Sequence, residues 1–189
     1  MQRRRILRYI AAALDRLVRF GLHIAAMTSI RPAFPAPDHD HNRCAADAIT
    51  HAEQVCEQRA QKFTPIRRHV LQALLSSHRP LGAYEVIDAL AKSMPRPAPI
   101  TVYRALDFLM ENGLVHRIES RNAYLACAHD HDAAAMVAFL ICERCGSVGE
   151  IPASPVAQGL NDAARATGFA PKLSVVEITG TCAHCLKSL

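Results

Sequence analysis

The sequence predicts an α+β fold in two parts, helix-rich at first and then a small mixed α/β module. Three observations lead there. Apolar residues recur at helical spacing through four segments between residues 45 and 111. Two short β-like runs, "LVHRIES" and "NAYLAC", follow directly. Two Cys-x-x-Cys pairs then bracket the last quarter of the 189-residue chain.

The N-terminus, "MQRRRILRYIAAALDRLVRFGLHIAAM", has the positive start of a signal peptide, but Asp15, Arg16 and Arg19 interrupt the apolar stretch such a peptide needs. No run reaches the ~18 apolar residues of a membrane span. Ile6, Ile10, Leu14, Leu17 and Val18 fit an amphipathic basic helix; an over-extended start, with Met27 as the true first residue, fits equally. "RPAFPAPDHDHNR" over 31–43 reads as a linker, so residues 1–44 form a basic extension and connection.

A first helix is expected over 45–62, with Ile49, Ala52, Val55 and Cys56 inward. A second opens at Thr64-Pro65, a side-chain cap followed by proline at the first helical position, and buries Val70, Leu71, Leu74 and Leu75. A third runs over 83–93. "MPRPAP" breaks the chain before a fourth over 100–111, where Val102, Ala105, Leu106, Leu109 and Met110 make an inward face and Thr101, Tyr103, Arg104 and Asp107 point elsewhere. Asn112-Gly113 ends it as a left-handed cap. Helices followed by a hairpin describe a winged helix-turn-helix over 45–127, with the hairpin as wing and the fourth helix entering a major groove. Beyond it, 128–189 holds the strands "VAFLIC" and "SVGEI", the helix "SPVAQGLNDAARATG" and the strand "KLSVVEI". A module of about 55 residues has a thin core and often needs a staple or a partner chain.

The pI is near 9.0, but the distribution of charge says more. Residues 1–26, with six arginines and one aspartate, carry the whole net charge of +5. The remainder divides into −2 over 27–56, +4 over 57–121 and −2 over 122–189. A basic segment between two acidic ones suits a duplex-binding module. Arg104 is placed to reach a guanine edge, and Thr101 and Tyr103 to touch backbone or a thymine methyl. Lys62, Arg67, Arg68, Arg117 and Arg121 are candidates for phosphates; a solvated charged face is the plain alternative.

Seven cysteines, four of them in Cys142-x-x-Cys145 and Cys182-x-x-Cys185, point to metal ligation in a reducing, cytoplasmic compartment. Two such turns supply a tetrahedral four-thiolate shell suited to zinc, with no position left open for catalysis; redox dithiols are the alternative. Cys127, His129 and His131 form a second cluster, to which His116 and Glu150 can be added as a mixed site or left as core and loop residues. His39, His41 and Cys44 read as part of a solvated linker.

Taken in order, "FTPIRR", "AYEVIDAL", "TVYRALDFL", "GLVHRIES", "FLICERCG" and "TCAHC" resemble the ferric-uptake-regulator superfamily over about residues 47–187, and its zinc uptake regulator branch most. The resemblance implies a homodimeric, zinc-responsive repressor of zinc-uptake genes. In that family a winged helix binds palindromic operator DNA and the C-terminal α/β domain dimerises. By position it implies structural zinc on Cys142, Cys145, Cys182 and Cys185, and a sensing zinc on His116, Cys127 and Glu150, making two per subunit. It also implies DNA reading by Tyr103 and Arg104. Many members of the branch carry a histidine where this chain has Ala135, so the fourth sensing ligand is expected from His131 or His129. The thiolate at Cys127 favours zinc over ferrous iron. An iron- or peroxide-responsive regulator of the same superfamily is the nearest alternative, and a metal-buffering or chaperone protein an alternative of another class. No membrane association, small-molecule substrate or enzymatic activity is expected.

Overall fold

The computed structural model describes residues 33–34, 40–76, 78–127, 137–172 and 174–187. The basic extension, Met27, His39, His129, His131 and Ala135 lie outside the described residues, as does the side chain of His41.

Helix α1 (His41–Gln58) begins inside the stretch expected to be linker. Asp40 caps it, accepting from the Arg43 N–H at 3.1 Å, so a carboxylate in a polar run starts the helix four residues early. It also ends before 62. Ala60 turns left-handed at φ +50°, and the Gln61 N–H bonds back to the Cys56 carbonyl at 2.8 Å. Helix α2 (Pro65–Leu74) opens on proline as expected, but Thr64 makes no side-chain cap hydrogen bond. Helix α3 (Ala83–Leu90) is shorter than expected; Glu85 reaches back to accept from the Gly82 N–H at 2.7 Å. Helix α4 (Pro99–Glu111) buries Val102, Ala105, Leu106 and Leu109, and also Phe108, whose ring is covered by the Arg67 guanidinium at 3.3 Å. Asn112 is buried at its end, donating to the Phe108 carbonyl at 2.9 Å and accepting from Arg59 at 2.9 Å, and Gly113 takes φ +72°.

The hairpin follows as β1 (Val115–Ile118) and β2 (Ala123–Ala126), joined by a 3-10 turn over Glu119–Arg121. Leu81 adds a third, short edge by exchanging hydrogen bonds with Tyr124 at 2.9 and 2.8 Å. Alternation decides what the hairpin touches. Val115, Tyr124 and Ala126 join the core of α1–α4, whereas Ile118 and Leu125 turn to the other side. There they pack with Phe139, Ile141 and Val148 of the second sheet. This wing is therefore buried on both faces.

The second sheet has the order β4-β3-β5, built from β3 (Val137–Cys142), β4 (Val148–Pro152) and β5 (Val176–Gly180). β3 pairs antiparallel with β4 and parallel with β5, and helix α5 (Ser154–Ala166) supplies the crossover that parallel pairing requires. A short α6 (Ala183–Lys187) closes the chain. Val156, Leu160, Phe169, Ile178 and Leu186 remain exposed on this module. Among the described residues no helix is long and apolar enough to cross a membrane.

Because Ala60 takes a left-handed conformation that an L side chain disfavours, Ala60→Gly is expected to stabilise the fold by about 0.5–1 kcal/mol. A urea midpoint unchanged or lowered in the zinc-loaded chain would contradict this.

Candidate metal centres

The parallel pairing of β3 and β5 sets Cys142 opposite Gly180, so both strands leave the sheet at the same edge. Each strand is followed at once by its Cys-x-x-Cys turn. The Glu143 N–H bonds to the Gly180 carbonyl at 2.9 Å, and Gly146 relieves the first turn at φ +76°. The ligand atoms of Cys142, Cys145, Cys182 and Cys185 consequently lie within 4.8 Å of one another. Cys145 Sγ and Cys182 Sγ are 3.9 Å apart. Four thiolates about 2.3 Å from one ion would be separated by about 3.8 Å along the tetrahedron's edges. The donor set and its spacing fit zinc.

The four thiols are not equivalent. The backbone N–H groups of Cys145 and Cys182 stabilise the Cys142 thiolate and lower its pKa to about 6. Cys145 is also lowered, chiefly by the Ser147 hydroxyl. Burial, then the neighbouring thiols of Cys182, Cys145 and Cys142, push Cys185 up to about 12. The shell thus divides into thiols that favour the thiolate, Cys142 and Cys145, and one, Cys185, that favours the protonated form.

A second group is assembled from two sheets. His116 lies on the β1 face that alternation turns toward the second sheet, and its ring meets that of Phe139 with centroids 5.3 Å apart. Cys127 follows β2, held by its N–H to the Leu114 carbonyl at 3.0 Å. Glu150 sits on β4 opposite Phe139 and is only 6 % exposed. Its Oε2 lies 3.8 Å from Cys127 Sγ, and donor atoms of all three residues fall within 4.8 Å of one another. An imidazole, a thiol and a buried carboxylate form a mixed N/S/O shell that fits zinc with one position unfilled among the described residues.

The candidate DNA residues divide by their contacts. Thr101, Tyr103 and Arg104 are exposed on α4. Arg67 lies over Phe108, and Arg68 pairs with Glu53 and stands 5.1 Å from the Phe63 ring. Arg117 pairs with Glu119 at 3.3 Å and with Asn122 at 3.0 Å, and Arg121 donates to the Gly146 carbonyl at 3.4 Å. Cys44 is half-buried on α1, its thiol raised by burial and then by Asp47.

The family model for the ferric uptake regulator family matches residues 58–179. The chain belongs to the ferric uptake regulator family. Its branch follows from identity: the zinc uptake regulation protein of Escherichia coli (strain K12) is 38 % identical over 141 residues, covering 75 % of this chain and 82 % of the relative. A solved zinc uptake regulator complexed with zinc and DNA superimposes with a TM-score of 0.72 at 38 % identity, over 76 % of this chain and 96 % of that one. The crystal structure of holo XcZur gives 0.69 at 42 % identity, over 75 % and 98 %. The α+β architecture and the zinc uptake regulator branch expected from the sequence both stand on these matches.

Because Cys142 is already deprotonated above its pKa of about 6, zinc added to the metal-free four-cysteine group near pH 7.5 should release fewer than four protons. An indicator titration on a Cys127→Ser background, which removes the thiol of the second candidate group, counts them; a full four would refute the assigned thiolate.

Proposed function

We propose that this chain is a zinc-responsive, sequence-specific repressor of zinc-uptake genes, acting in the cytoplasm as a homodimer on palindromic duplex DNA and carrying two zinc ions per subunit. One observation carries the reading: the wing supplies His116 and Cys127 while the second sheet supplies Glu150. A ligand set divided in this way is complete only at one angle between wing and sheet. Metal binding favours that angle and so shifts the population toward it. By linkage, operator DNA that selects the same angle tightens metal binding by the same factor. The closed four-thiolate group has a different part, as a permanent staple of the module.

In this reading residues 45–127 bind DNA and 128–189 dimerise. Cys127 softens the shell toward zinc, and His131 or His129 completes it. The relatives with zinc in their names, one of them solved with zinc and DNA, support the same effector and the same nucleic acid. Arg104 reads a guanine edge beside Tyr103 and Thr101, which contact backbone or a thymine methyl. Arg67, stacked on Phe108, and Arg68, paired with Glu53, are less free to reach phosphates than the exposed α4 residues. The exposed Val156, Leu160, Ile178 and Leu186 suit burial against a second copy. A closed thiolate shell and a sensing shell leave the protein a regulator without enzymatic chemistry.

Two substitutions test this on the duplex upstream of the protein's own gene. Cys127→Ser is expected to abolish zinc-dependent DNA binding while leaving a folded dimer with the four-cysteine zinc in place. Zinc-dependent binding retained by the variant in an electrophoretic shift would sink the sensing assignment. Arg104→Ala should weaken binding to the specific duplex by about 1–3 kcal/mol. An equal loss on random DNA would remove its base-reading role.

A further inference from the structure

Glu150, Phe139 and Glu177 occupy one row across the second sheet, since Phe139 is the register partner of both glutamates. Directly paired residues project from the same face, so all three address the wing. Glu150 meets Cys127, and Phe139 meets the His116 ring. Glu177 does something no other member of the row does. Its Oε1 accepts from the Glu119 N–H at 2.6 Å and its Oε2 from the Ser120 N–H at 3.1 Å, so one carboxylate clasps two successive amides of the wing turn. The turn is prearranged to receive it. Arg117 draws the Glu119 carboxylate aside at 3.3 Å and ties Asn122 at 3.0 Å.

We propose that Glu177 is a positioning residue: its clasp on the wing turn holds the wing at the angle where His116 and Cys127 meet Glu150, and so sets the zinc affinity of that group. The proposal rests on the zinc-sensing reading above. Glu177 stands two strands from Glu150, roughly 10 Å across the sheet. The wing is thus tied at the ligand group and at the Glu177 clasp, with Arg121 on the Gly146 carbonyl a further tie at the turn, and the apolar cluster packs beside them. With the clasp intact the ligands are gathered before the ion arrives. Without it, only a fraction of molecules is competent at any moment, and the apparent affinity falls by that fraction.

The test uses the full chain. Zinc affinity of the His116–Cys127–Glu150 group is read by competition with a chromogenic chelator while the four-cysteine group stays loaded, and amide exchange is followed at Glu119 and Ser120. Glu177→Ala should weaken zinc binding about tenfold, the scale of losing charge-assisted hydrogen bonds, and should remove protection at both amides. Glu177→Gln keeps one acceptor oxygen and should fall between the variant and its parent. Zinc affinity of Glu177→Ala within twofold of the parent would overturn the proposal. So would a loss of affinity that comes with loss of the four-cysteine zinc, since the role would then be structural. A parent chain that binds no second zinc refutes the sensing reading, and this proposal with it; a variant matching a zinc-binding parent refutes the proposal alone.

Discussion

The rest of the structure depends on the pairing of β3 with a strand on each side. Its parallel edge with β5 carries the two Cys-x-x-Cys turns to one place, because parallel neighbours end at the same side of the sheet. Its antiparallel edge with β4 places Glu150 beside Phe139. Shifting the β4 register by one residue would turn Glu150 to the far face and take the carboxylate from the wing. Shifting β5 in the same way would misplace Glu177 and pull Cys182 away from Cys142. Both candidate metal groups thus depend on hydrogen bonds between backbones that carry no metal chemistry of their own.

The wing is the second constraint. A hairpin with one wet face would need only one apolar stripe, but here both faces are occupied, one by the helical core and one by the second sheet. Two stripes of opposite parity make the hairpin a rigid intermediary between α4 and the sheet. Leu125 and Tyr124, adjacent residues of β2, point to opposite sides, one into the cluster of the second sheet and the other into the helical core.

Much of this was legible in the sequence, and the exceptions share a cause. Helical periodicity found α1–α4, and the paired Cys-x-x-Cys spacing found the four-thiolate group. Alternation alone placed His116 on the face of Ile118. The start of α1 was missed because Asp40, capping at 3.1 Å, sits in a run whose composition resembles a linker. Phe108 escaped the inward face because its cover is Arg67, a side chain expected at phosphates. The pairing of Glu177 with the turn at Glu119 spans 58 residues. A local pattern reports which way a side chain points, but not which distant strand lies there. Spacing offers His116, Cys127 and Glu150 as one mixed site among plain alternatives and family resemblance strengthens it, while His131 and His129, expected as its fourth member, lie outside the described residues.

The four-cysteine group has one further consequence, in chain entropy. Thirty-six residues lie between Cys145 and Cys182, and they include β4, α5 and β5. A cross-link closing a loop of that length restricts the unfolded chain by about 4 kcal/mol on the entropic model used for disulfides. The buried apolar residues packed against the second sheet are few, so an ion closing this loop would weigh heavily against the marginal stability typical of small domains. Glu150 and Glu177 both stand inside that loop. An ion held by the four thiols would therefore restrict, in the unfolded chain, the very strands that carry both glutamates.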